Sequence, residues 1–163
     1  GCRLTIGDLM FGLGIPVPLK SLTQLKVAAA LVAPILVRLP FEMLYPTGKK
    51  QEEIKPRFSH YYLSNDIIAG DFLFIKRDLP PELPGKVIIT NTVTSADVED
   101  LKRRGVRTLV TTTPELNGRS FGTNVMEGVL VSLTTKPWQK LGPADYEELL
   151  DRLDLKPRIE DLN

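Results

Sequence analysis

Three short runs of β-branched and aliphatic residues, each closed by a turn or a capped helix, constrain this chain more than any other feature. Asp66-Ile67-Ile68-Ala69 ends at Gly70-Asp71, Lys86-Val87-Ile88-Ile89-Thr90 starts from Gly85, and Val106 to Thr111 is β-branched at Val106, Thr108, Val110 and Thr111. Short apolar runs bounded by turn residues suit strands buried in a sheet. Between the second and third, Thr94 stands as N-cap of a helix from Ser95 to Arg104. Asp97 lies at its positive end, and Gly105 occupies the place of a C-terminal glycine. Phe72 to Asp78 forms a brief helix or turn before Pro80-Pro81. Strand, helix, strand at this spacing calls for a crossover connection, hence a parallel sheet with right-handed crossovers. Further helices are expected over Asn124 to Leu133, where Val125, Val129 and Leu133 share a face, and over Pro143 to Leu153, which starts on proline and is rich in acids. The expected class is α/β: a Rossmann-like, three-layer fold with a mostly parallel sheet.

The first half is less regular. Cys2 to Ile6 reads as a strand. Ser21 and Gln24 form an S-x-x-Q capping box ahead of a helix from Leu22 to about Ala33, which Pro34 kinks or ends. A turn from Pro40 to Leu44, the turn residues Tyr45-Pro46-Thr47-Gly48 and a short helix from Arg57 to Leu63 follow. At 163 residues the chain suits one domain with its own core. The reading is a single domain over 1–163, with a helical insertion at about 20–63 and a C-terminal helix at about 143–153. The lack of an initiator methionine before so early a strand is read as excision from a longer chain.

Composition removes several classes of function. Lys plus Arg total 21 and Asp plus Glu total 20, a formal charge of +1, which argues against a polybasic nucleic-acid binder. A single cysteine, Cys2, and a single histidine, His60, leave no disulfide framework and too few ligands for a Cys/His zinc site; His60 is expected to be a partly buried helix residue. No metal site is expected. The apolar run from Val27 to Val37 is far shorter than the roughly 20 residues of a membrane-spanning helix. It reads as a buried helix or a subunit contact, with a membrane-surface or partner-binding role as the alternative. Phe11, Leu13, Ile15, Val17 and Leu19 add apolar surface nearby, so the 9–44 segment is the candidate for homo-oligomer formation. The expected protein is cytoplasmic, binding neither nucleic acid nor membrane.

Ligands of an open parallel sheet collect beyond the carboxyl ends of its strands. Four loops qualify: Gly7-Asp8, Gly70-Asp71, Asn91-Thr92-Val93-Thr94, and Thr112 through Asn124. The last joins a buried strand to a helix and offers Thr113, Arg119, Ser120, Gly122, Thr123 and Asn124. Backbone N–H groups at the helix start can hold an anion, with Arg119 adding a bidentate contact. The alternative is a polar loop in which Ser120, Thr123 or Asn124 caps the helix and Arg119 is solvated. Gly118-Arg119-Ser120-Phe121-Gly122 fits G-x-S-x-G, but Pro114 to Asn117 separate it from the strand and no histidine follows, so a hydrolase elbow is rejected. Asn91 and Thr92 suit hydrogen bonds to a ribose or substrate hydroxyl, or else a local Asx or ST turn. Asp8 suits a ribose, as the acid after a strand does in dinucleotide-binding units, or else a turn. Lys49, Lys50, Lys55 and Arg57 form a basic cluster diluted by Glu52 and Glu53, and Lys55 with Asp71 would be a proton-transfer pair if the two met.

Three longer phrases carry a resemblance: Leu44-Tyr45-Pro46-Thr47-Gly48-Lys49-Lys50-Gln51-Glu52-Glu53-Ile54-Lys55-Pro56, Ile88-Ile89-Thr90-Asn91-Thr92-Val93-Thr94 and Gly118-Arg119-Ser120-Phe121-Gly122-Thr123-Asn124-Val125-Met126-Glu127. The chain resembles, over nearly its whole length, the C-terminal portion of a bacterial family labelled quinate 5-dehydrogenase. Asn91-Thr92 is similar to the segment after a strand in shikimate and quinate dehydrogenases, whereas the dinucleotide fingerprint G-x-G-x-x-G is absent and the catalytic lysine motif of those enzymes has no match here. The resemblance implies NAD or NADP as cofactor and hydride transfer involving a quinate- or shikimate-like polyhydroxy acid. The leading expectation is therefore a Rossmann-like domain binding a nucleotide or other anionic ligand through Asp8, Asn91, Thr92, Thr113, Arg119, Ser120, Gly122, Thr123 and Asn124. The alternative is a non-catalytic metabolite-sensing or assembly domain.

Overall fold

The computed structural model describes residues 2–40 and 56–163. The expected turns over Pro40–Leu44 and Tyr45–Gly48, and the lysines at 49, 50 and 55, therefore lie wholly or largely outside the described residues. The chain divides into two compact units, Gly1–Ser59 with Leu73–Leu79, and His60–Phe72 with Pro80–Asn163.

In the first unit the run from Cys2 to Ile6 does not form a strand. Ile6 forms an isolated bridge, exchanging both backbone hydrogen bonds with Leu19 at 2.7 and 3.0 Å. A single π-helical turn over Asp8–Gly12 buries Met10 completely, and the Phe11 ring meets Phe58 edge-on with centroids 5.8 Å apart. The buried carboxylate of Asp78 accepts the backbone N–H groups of Arg57 and Phe58 at 3.1 and 3.2 Å and faces the Arg77 guanidinium, so its charge is hydrogen-bonded inside the fold. Helix α1 (Leu22–Leu36) starts after Ser21, whose Oγ accepts the Gln24 N–H, but the expected box is only half made, since Gln24 Oε1 takes the N–H of Lys20 rather than of Ser21. It does not stop at Ala33. Pro34 lies inside the helix, which forgoes one backbone bond and runs on for most of another turn. No residue of α1 is buried.

Along the chain, helix α2 (Ser59–Ser64) precedes strand β1 (Ile67–Ala69) and helix α3 (Phe72–Arg77) follows it. The sheet of the second unit is completed by β2 (Val87–Thr90), β3 (Thr108–Thr111) and β6 (Arg158–Asp161), in the order β1-β2-β3-β6. The first three strands are parallel, in register at Ile68, Ile88 and Leu109, and β6 is antiparallel to β3. The fold is thus mixed α/β on a small, open, mostly parallel sheet. One face is buried, carrying Ile68, Ile88, Thr90, Leu109 and Thr111; on the other, Ile67 is 59% exposed. Among these strands the order 1-2-3 never reverses, so they form no switch-point crevice of the doubly wound kind.

Helix α4 (Ser95–Arg103) is specified at both ends by local chemistry. Thr94 and Asp97 form a reciprocal capping box. At the other end Gly105 (φ 84°) and Val106 donate to Lys102 and Leu101 in a Schellman arrangement, and Leu101 is fully buried. The segment expected to be a plain loop contains a hairpin, β4 (Glu115–Leu116) and β5 (Arg119–Ser120). Asn117 (φ 53°) and Gly118 (φ 78°) make its two-residue turn. Helices α5 (Thr123–Ser132) and α6 (Pro143–Arg152) follow, burying Leu130 and Leu149.

Candidate functional site

The carboxyl ends of β1, β2 and β3 are laced together by polar side chains, and Asn91 is the hub. Its Oδ1 accepts the N–H of Phe72 at 3.3 Å and of Thr92 at 2.6 Å, while its Nδ2 donates to Asp71 Oδ2 at 3.0 Å. The Asn91 carbonyl accepts the hydroxyls of Thr113 and Ser120 at 3.1 and 3.0 Å. Thr113 also donates to the Phe121 carbonyl at 2.6 Å, and Thr92 to the same oxygen at 3.2 Å. Ser120 Oγ takes the Val93 N–H at 2.7 Å, and Thr90 donates to the Gly70 carbonyl at 2.8 Å. Parallel strands deliver these residues to one edge because their chemistry falls at the same register position, just past the last ladder pair.

The network gathers Asn91, Thr92, Thr113 and Ser120 from the predicted set, together with Asp71, and leads straight into α5. Gly122 is the N-cap of α5 and supplies no side-chain hydrogen bond. Among the described residues nothing accepts the backbone N–H groups of Thr123 and Asn124, and both residues are exposed. Ser120 is buried in the hairpin rather than capping the helix, and its hydroxyl is engaged by Asn91 and Val93, which further disqualifies it as a hydrolase nucleophile. Gly122 is not needed for space: a side chain there would meet Thr92 Oγ1 at 3.8 Å, ordinary van der Waals contact.

Two predicted residues are not members of this network. Arg119 is exposed and precedes the buried Ser120 on β5, so strand alternation puts it on the opposite side from the hydroxyl that reaches Asn91. Asp8 belongs to the first unit, where it is an exposed residue opening the π-helical turn. His60 is exposed, not partly buried; its ring lies 4.1 Å from that of Tyr61. Asp71, its carboxylate held by Asn91, joins the site without belonging to the expected ligand-binding set; its sequence signal is Gly70-Asp71 after a short apolar run.

The N-terminus of α4 contrasts with that of α5. Thr94 Oγ1 accepts the Asp97 N–H, Asp97 Oδ2 takes the Thr94 N–H, and the Gly118 carbonyl takes the N–H of Ser95 at 2.9 Å. Beside it lies an open recess of about 190 Å³, whose lining includes Val93, Ser95, Glu99, Glu115, Arg158 and Glu160. Arg158 is paired with Glu115 at 2.9 Å and with Glu160, so carboxylates outnumber cations and the recess is unsuited to an anion. The Thr111 hydroxyl, fully buried, has no partner among the described residues. At the start of α6, Asp145 accepts the Gly142 N–H at 2.7 Å and pairs with Lys136; these two contacts, the backbone one first, hold its carboxyl below the ordinary aspartate range. Among the described residues no group of three His, Cys, Asp or Glu side chains is placed to hold a metal ion, and no helix is long and apolar enough to cross a membrane.

The comparisons give one match: the family described as Domain of unknown function (DUF8754), over residues 1–162. No curated protein and no solved structure matches the chain.

Proposed function

The chain belongs to the DUF8754 family, and on that premise we propose that it binds an anionic, hydroxyl-bearing small molecule, with a nucleotide as the leading class, at the carboxyl ends of β1–β3. The sheet is read here as the parallel part of a Rossmann-like fold. The observation that carries the proposal is the start of α5: an N-cap with no side chain, and N–H groups of Thr123 and Asn124 without an acceptor among the described residues, beside a scaffold braced by Asn91, Thr113 and Ser120. Such a terminus favours a phosphate or carboxylate through directed donors and the helix dipole. Thr92, half-buried with its Oγ1 3.8 Å from where a Gly122 side chain would start, and the half-buried Asp71 of the same network are the side chains assigned to ligand hydroxyls. Rigid bracing matters because an anion gains most where the donors do not have to reorganise around it.

The enzyme version of this reading has NAD or NADP as the nucleotide and hydride exchange with a quinate- or shikimate-like acid. The second reading, a non-catalytic metabolite sensor, draws on a different observation: the hydroxyls of Thr92, Thr113 and Ser120 are all donated to main-chain carbonyls, a bracing role rather than a chemical one. Titration of the protein with NAD, NADP and inorganic phosphate, followed by ¹⁵N–¹H NMR, tests the common core. The expected result is saturable movement of the Thr123 and Asn124 amides. Absence of saturable binding by all three ligands overturns it. NAD(P)-linked oxidation of quinate or shikimate then separates enzyme from sensor.

A further inference from the structure

We infer that Asn117–Gly118 is a self-modification site: the hairpin turn deamidates through a cyclic imide, and the product opens the start of α4. This does not depend on the ligand site. Asn65, Asn91, Asn117 and Asn124 are followed by Asp66, Thr92, Gly118 and Val125. Ring closure requires the main-chain nitrogen of the next residue to reach the asparagine Cγ. A following Cβ crowds that approach, most of all when it is branched, and glycine has none. The surroundings separate the four further. Asn65 donates to the Tyr61 carbonyl at 2.7 Å, Asn91 is bonded through both of its amide atoms, and Asn124 lies in the first turn of α5. Asn117 is exposed, and among the described residues no hydrogen bond holds its side-chain amide.

A base stands beside the nucleophile. Glu115 Oε1 accepts the Gly118 N–H at 2.8 Å, and its Oε2 is held by Arg158 at 2.9 Å, which keeps the carboxylate on that nitrogen. A peptide nitrogen attacks only as its proton leaves, and a carboxylate within hydrogen-bond reach is placed to take it. The steps balance with water as the only co-reactant. Gly118 N bonds to Asn117 Cγ while its proton passes to Glu115; the Cγ–Nδ2 bond then breaks, and the proton leaves with ammonia. Water opens the imide on one of two sides. Addition at Cγ gives aspartate. Addition at the main-chain carbonyl gives isoaspartate, in which the backbone runs through the former side chain and is longer by one methylene.

The turn does not tolerate the longer chain. Strands β4 and β5 pair over two residues each, joined by Asn117 (φ 53°) and Gly118 (φ 78°). The Gly118 carbonyl accepts both the N–H and the hydroxyl of Ser95, each at 2.9 Å. An added methylene moves that carbonyl off Ser95. Either product also adds a negative charge to a hairpin that borders a recess already holding Glu99, Glu115 and Glu160 against Arg158. Ageing thus turns the closed start of α4 into an open one.

Peptide mapping of the folded protein during storage in warm neutral buffer is the test. A mass gain of about 1 Da, with an isoaspartyl fraction, is expected at Asn117 roughly tenfold or more faster than at Asn65, Asn91 or Asn124. Glu115→Gln keeps an acceptor for the Gly118 N–H but removes the base, and is expected to slow conversion roughly tenfold or more. Arg158→Gln loosens the same carboxylate without removing it, and is expected to slow conversion far less. In isoaspartyl protein the Ser95 amide is expected to exchange with deuterium about tenfold faster than in fresh protein. Conversion at Asn117 no faster than at the other three asparagines overturns the inference. So does a Glu115→Gln rate that is unslowed or no slower than that of Arg158→Gln, or a Ser95 amide unchanged in the isoaspartyl protein.

Discussion

Two helices of the second unit begin close to the same sheet edge and are finished in opposite ways. At α4 the N–H groups of Thr94, Ser95 and Asp97 are served from within the protein: Thr94 and Asp97 serve each other, and the hairpin turn lends the Gly118 carbonyl to Ser95. At α5 the cap position is a glycine, and the N–H groups of Thr123 and Asn124 have no acceptor among the described residues. Both termini carry the same backbone dipole. What separates a closed structural end from a candidate ligand site is whether a carboxylate or carbonyl of the protein already occupies the position an anion would take. The long polar segment from Thr112 to Asn124 thus does two jobs, closing α4 with its hairpin and leaving α5 open with its tail.

The comparison can be broken most forcefully at Gly118. Its φ of 78° is in the left-handed region, and a Cβ there would come within 2.4 Å of Ser95 Oγ, the residue that opens α4. Gly118→Ala is expected to lower stability by about 1–3 kcal/mol in urea unfolding. Because the strain falls on the hairpin and α4, the Thr123 and Asn124 amides should still respond to ligand. Loss of that response would mean that the two termini are not separable.

Exchanging the two finishes sharpens the contrast. Thr94→Ala should cost about 1 kcal/mol by opening α4. Gly122→Asp should do the reverse at α5: the backbone there (φ −68°, ψ 146°) accepts any residue, so the carboxylate is expected to cap the helix, change stability by only a few tenths of a kcal/mol and abolish the ligand-induced amide shifts. Undiminished binding by Gly122→Asp would remove α5 from the site.

The smallest effect concerns a third helix start. At α6 the lowered Asp145 pKa means that the folded state favours the ionised carboxylate. The stabilisation from its Gly142 and Lys136 contacts is therefore present above the ordinary aspartate pKa and is lost as pH falls through the folded value, in the acidic range below about pH 4. The difference in thermal midpoint between wild type and Asp145→Asn should be visible at neutral pH and vanish at the acid end. A difference that grows on acidification would contradict the assignment.

How much of this could be read along the chain depends on the range of the interaction. The Thr94–Asp97 and Ser21–Gln24 caps and the Gly105 stop join residues within a turn of one another, and the structure has all three. The Asn117-Gly118 turn was equally local, yet it lay inside a polar run that read as one continuous loop, so the hairpin that positions Ser120 was missed. Strand β6 carried no usable pattern, since Arg158, Glu160 and Asp161 surround the lone Ile159. It forms because β3 presents an unpaired edge, and charged residues suit the outermost strand. At Pro34 the local rule gave the wrong end point, because one missing backbone bond did not stop α1 from running on to Leu36.

The sequence by itself determined where α1 and α4 start, where α4 stops and which runs become the three parallel strands, because caps, a glycine stop and β-branched runs act between neighbours through backbone geometry. It also placed the polar residues at the strand ends. Only the tertiary structure decided which of them meet. Asn91, Asp71, Thr113 and Ser120 converge through hydrogen bonds across 20 to 29 residues of chain. Arg119, one residue from Ser120, is turned away by the two-residue period of its strand. Which hydroxyls are consumed by carbonyls, and which helix terminus is left open, depends on how strands distant in sequence align.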